Sequence, residues 1–148
     1  YQYGAPEIIV VMAGTNDVSG NVEMGTADGA VTTYMGAFKT MLANLKSQCR
    51  NAKIVVFQLY RGNVLDYANS GGKHQYEYQE AMANLCRRYG GKAKDGKQVA
   101  NMENAYICGN SLSDYGSPTY ASADYLHPNM QGMERVYAGV RAYLESLY

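Results

Sequence analysis

EIIVVMAGTND, residues 7–17, decides how this chain is read. Glu7 to Met12 is an almost unbroken apolar run between Pro6 and Gly14. It shows no alternation with polar residues. Such a run predicts a strand buried on both faces, as in a parallel sheet covered by helices. Gly14 lets the backbone turn sharply where the run ends. Asn16 then offers a side-chain amide just past a strand end, a donor of the kind that stabilises an oxyanion. Asp17 is expected to brace the turn by accepting from backbone N–H groups.

Outward from this stretch, helix and strand alternate. Val31, Tyr34, Met35, Phe38, Met41, Leu42 and Leu45 recur at the three-four spacing of one helical face. Thr32 or Thr33 suits the cap of that helix. KIVVFQ, residues 53–58, reads as a second buried strand. Residues 59–73 form a loop rich in Gly, Asn and Ser, long enough to be functional. Tyr78, Met82, Leu85 and Tyr89 stripe a second helix, closed by Gly90 and Gly91. The polar stretch KAKDGKQVANMENA leads to a weak strand expected near Tyr106 to Cys108. Met133, Val136, Tyr137, Val140, Leu144 and Leu147 stripe a last helix, with Pro128 expected in its first turn. There are no repeats, low-complexity tracts or linkers, so residues 1–148 read as a single domain.

This order implies an α/β layered sheet. Ligands of such sheets bind at the carboxyl ends of the strands. GTND follows the first strand directly, and DYLHPN, residues 124–129, lies in the loop after the last one. Both are expected on one rim. His127 is a candidate general base, since imidazole titrates near neutral pH. Asp124, three residues earlier, is placed to hold that ring and steady its cationic form.

GTND resembles the third block, Gly-x-Asn-Asp, of the SGNH hydrolases, the GDSL-type esterases and lipases. DYLHPN followed by a helix resembles their last block, Asp-x-x-His with Pro next. The resemblance implies a three-layer α/β/α flavodoxin-like sheet and ester hydrolysis by a Ser–His–Asp triad. It assigns His127 as base, Asp124 as the residue that orients it, Asn16 to the oxyanion hole and Gly14 to the turn. The family's first block, Gly-Asp-Ser with the nucleophile, and its second block belong ahead of GTND. Only six residues precede the first strand, so neither fits. The expectation is the C-terminal part of a longer hydrolase, without its N-terminal strands. YICGNSLSDYG, residues 106–116, offers Ser111 as an alternative nucleophile in a rearranged order, with Asn110 where the family has Asp.

A strand apolar on both faces is costly at a sheet edge, where its N–H and C=O groups lack partners. The strand at residues 7–12 is therefore expected to pair with a second copy of the chain or with an absent N-terminal segment. Thirteen basic residues balance thirteen acidic ones, which argues against nucleic acid as a partner. No apolar run approaches a membrane span. Cys49, Cys86 and Cys108 form an odd set without CxxC spacing, so buried free thiols are expected. No metal site and no cofactor are expected. The preferred substrate is a small acyl ester, such as an acetyl group on carbohydrate, from the fifteen tyrosines and polar loops. The alternative is a non-catalytic remnant that binds a polar ligand or serves in assembly. The sequence leaves the compartment open.

Overall fold

β-Branched residues fill every position of Ile8–Val11, which forms strand β1 in the computed structural model. The structure describes residues 4–57, 68–89, 100–103 and 127–146. The chain divides into two compact units: Tyr1–Phe57 with Ala68–Glu103, and Gln58–Tyr67 with Asn104–Tyr148.

In the first unit, β1 runs parallel to β2 (Lys53–Phe57), with Ile9 opposite Ile54 and Val11 opposite Val56. β2 in turn runs parallel to β3 (Ala100–Glu103), with Ile54 opposite Ala100. The sheet order is β1-β2-β3, so β2 is central and β1 is an edge strand among the described residues. Ile54, Val55, Val56 and Phe57 are all buried, as a strand covered on both faces requires. Each such side chain contributes about 1.5–3 kcal/mol through burial.

A short helix α1 (Thr15–Ser19) follows β1, and α2 (Tyr34–Gln48) leads to β2. Helix α3 (Gln75–Tyr89) leads from β2 towards β3. Right-handed crossovers between successive parallel strands put α2 and α3 on one face of the sheet, and the two helices pack together. Tyr34, Phe38 and Leu42 of α2 and Tyr78, Met82, Leu85 and Cys86 of α3 are buried. His74 precedes α3, and its backbone N–H donates to Glu77 Oε2 at 2.8 Å. Glu77 reaching back in this way closes the helix start.

In the second unit, the described residues lead into α4 (Met130–Glu145). Asn129 caps it, its side chain accepting from the Gly132 N–H at 3.0 Å.

Several expectations shift. The third strand is Ala100–Glu103, inside the stretch expected to be a polar connection. Tyr106 to Cys108 lie outside the described residues. β1 is only partly buried: Val10 and Met12 are exposed, and β1 is an edge strand among the described residues. Val31 lies ahead of α2 and is 62% exposed, so the helix stripe starts at Tyr34. Thr33 is at the cap position, yet its hydroxyl donates to the Ala30 carbonyl at 2.8 Å and caps nothing. Pro128 stands before the Asn129 cap, outside the first turn of α4. On α4, Met133 and Tyr137 are exposed, so the buried side of the helix is narrower than the stripe implied. Cys49 and Cys86 are buried thiols outside any disulfide, as expected. Burial pushes the Cys86 thiol up to about 12, which keeps it protonated and unreactive. Cys108 lies outside the described residues.

Candidate active site

GTND follows the carboxyl end of β1. Gly14 has φ 118° and ψ −12°, in the left-handed region where a side chain is strained. That turn reverses the backbone within one residue and starts α1 immediately. Asn16 therefore sits in the first turn of α1, exposed, a few residues past the strand. Its backbone carbonyl accepts from the Gly20 N–H at 2.7 Å. Its carboxamide is left facing solvent, as an oxyanion donor must be before substrate binds.

Among the described residues, this turn is held by backbone hydrogen bonds, Val18 N–H to the Gly14 carbonyl at 3.2 Å and Gly20 N–H to the Asn16 carbonyl, and the Asp17 side chain takes no part in them. Its carboxylate instead lines an open cavity of about 190 Å³, together with Gly14, Tyr34, Phe38 and Met41. Tyr34 is 3% exposed, and its hydroxyl has no hydrogen-bond partner among the described residues. Burial, and then the charge of Asp17, push the Tyr34 pKa far up, so the phenol keeps its proton. Sequence reasoning placed Tyr34 only as a core residue of the α2 stripe. A polar tip on an otherwise apolar stripe was the one available sign of a second role.

His127 belongs to the second unit. His127 is exposed and stands two residues ahead of the Asn129 cap of α4. A capped helix start gives that segment a fixed point. Asp124 and Ser111 lie outside the described residues. Gly14 and Asn16 belong to one compact unit and His127 to the other, and each is described within its own unit. Among the described residues, no group of three His, Cys, Asp or Glu side chains converges to hold a metal ion. No described helix is long and apolar enough to cross a membrane.

The sequence match decides the family. The model of the GDSL-like lipase/acylhydrolase family matches residues 2–135. The chain belongs to that family. The GDSL-like fold is also found among solved structures. A protein from Lactobacillus plantarum matches with a TM-score of 0.73 and 21% identity, covering 96% of this chain and 68% of that one. A structure described as a GDSL-like lipase from Bacteroides ovatus matches at 0.61 and 19%, over 97% of this chain and 56% of that one. Another so described, from Bacteroides uniformis, matches at 0.60 and 24%, over 97% and 54%. At these identities the likeness is one of fold. The chain spans little more than half the length of the two Bacteroides proteins. No curated protein matches the sequence. Membership of a GDSL-like lipase/acylhydrolase family is what the sequence match shows.

Proposed function

We propose that this chain supplies the base and one oxyanion donor of a serine ester hydrolase that removes small acyl groups, acetyl foremost, from carbohydrate or similar small esters. In this reading His127 takes the proton of a serine hydroxyl as the serine oxygen attacks the ester carbonyl. Asp124 holds the imidazole and steadies its cation. The carbonyl oxygen becomes an oxyanion, and the Asn16 amide donates to it. Collapse of the tetrahedral species expels the alcohol, which takes the proton from His127. Water then repeats the sequence on the acyl-serine, releasing the acid and the free enzyme. The nucleophile comes from residues outside these 148, a reading supported by the extra length of the solved relatives. Ser111 is the alternative source.

The observation that carries this reading is the left-handed turn at Gly14. It presents Asn16, exposed, directly after the first parallel strand of an acylhydrolase-family chain. The test is product analysis. Acetate release from acetylated oligosaccharides is expected to exceed cleavage of long-chain acyl esters. Preference for long acyl chains contradicts the substrate class. A fluorophosphonate probe is expected to label a serine outside residues 1–148, and a label on Ser111 selects the rearranged order.

A second reading has its own support. Among the described residues β1 is an edge strand, with Val10 and Met12 exposed, which suits assembly with a second copy or with an additional strand. A chain that assembles but cleaves no ester is the non-catalytic remnant.

A further inference from the structure

Helix α1 is five residues long, too short to keep its shape unaided. Gly14 fixes its entry. Its exit is fixed by a buried hydroxyl from α3. Tyr78 is 1% exposed, and its O–H donates to the Val22 carbonyl at 2.7 Å. Val22 in turn donates its N–H to the Asp17 carbonyl at 2.9 Å, and Gly20 donates to the Asn16 carbonyl at 2.7 Å. The chain leaving α1 is thus folded back on the helix and held there from outside.

The direction of the tyrosine proton is not left to chance. Asn69 is 5% exposed, and its Oδ1 accepts from the N–H groups of Gly71 at 3.1 Å and Lys73 at 2.9 Å. Two backbone donors on one atom identify it as the amide oxygen. The other end must be Nδ2, which only donates, and it lies 3.1 Å from the Tyr78 oxygen. A phenol carries one proton. With Asn69 donating to its oxygen, that proton goes to Val22. Tyr34, packed edge-on against the same ring at 4.9 Å, keeps the ring from swinging away.

We propose that Tyr78 is a positioning residue for Asn16, its hydroxyl holding the exit of α1 and Asn69 setting the polarity of that hydrogen bond. The catalytic consequence rests on the oxyanion role proposed for Asn16; the positioning itself does not.

Amide hydrogen exchange on the whole chain tests it. Tyr78→Phe keeps the ring and deletes the proton. Exchange at Gly20 and Val22 is expected to rise about tenfold or more, while Val55 and Val56 in β2 keep wild-type rates. Asn69→Asp keeps the hydroxyl but offers it an acceptor, so the proton turns from Val22 and the same two amides are expected to speed up. Unchanged exchange at Gly20 and Val22 in both variants overturns the proposal. So does equal acceleration throughout β2, which marks a merely structural residue. On a small ester, Tyr78→Phe is expected to lower kcat about tenfold at unchanged KM. If Asn16→Ala leaves activity intact while exchange responds as expected, the oxyanion reading fails and the positioning stands.

Discussion

Tyr34 and Tyr78 meet edge to face, ring centroids 4.9 Å apart at 76°, yet among the described residues only Tyr78 has a partner for its hydroxyl. The same residue type, in contact, thus carries opposite polar accounts. A buried hydroxyl without a hydrogen bond costs desolvation with no return. Tyr34→Phe is therefore expected to raise stability by up to about 1 kcal/mol. Tyr34→Ala removes the ring as well and is expected to cost about 3–5 kcal/mol. Urea unfolding of the two variants checks both signs. A Phe variant clearly less stable than the parent means that the hydroxyl has a partner in solution.

Gly14 is the position where backbone conformation and site geometry coincide. A Cβ at φ 118° is strained. Gly14→Ala is expected to cost about 1–2 kcal/mol. It should also lower ester cleavage more than that loss of stability explains, since α1 begins at that residue. Activity measured well below the unfolding temperature separates the two effects.

Glu77 gives a pH dependence with a definite sign. The His74 backbone N–H, and then Lys73, hold its carboxyl below the usual glutamate range. A pKa depressed in the folded state adds stability above the unfolded value, and that stability is lost as pH falls through the folded value. The loss should begin near the ordinary glutamate pKa of about 4.3 and continue below it. Glu77→Gln is expected to flatten this part of the melting-temperature profile while leaving the neutral-pH fold intact. An acid limb of unchanged slope in the Gln variant contradicts the assignment.

β1 carries the expectation of association. Its outer edge has no strand beside it among the described residues, and Val10 is exposed next to it. Light scattering is expected to show a dimer or larger species. Val10→Lys should shift it towards monomer, because a charge on an edge strand opposes pairing. A monodisperse parent monomer contradicts this.

What could be read in the sequence tracks how completely each element is buried. β2 was legible because Ile54 to Phe57 form an unbroken buried run, and α3 because Tyr78, Met82 and Leu85 are buried at helical spacing. β3 was not legible because Ala100–Glu103 carries Asn and Glu within four residues and reads as polar connection. α1 was missed because TNDVS is one short helix of turn-favouring residues. The turn at Gly14 was legible from local chemistry, a glycine ending an apolar run. The Asp17 cavity and the Tyr78–Val22 bond were not, because each joins residues far apart in the chain. Asp124 and Ser111, read from DYLHPN and YICGNSLSDYG, lie outside the described residues.

The central claim is that Asn16 and His127 serve one ester. The most direct measurement is hydrolysis of 4-nitrophenyl acetate by the protein carrying these residues, with Asn16→Ala, His127→Ala and the double substitution compared. Each single variant is expected to lose about 10²–10³-fold in kcat. The double variant is expected to fall far short of the product of the two losses, as for residues acting as a unit. Activity that survives either single substitution contradicts the account.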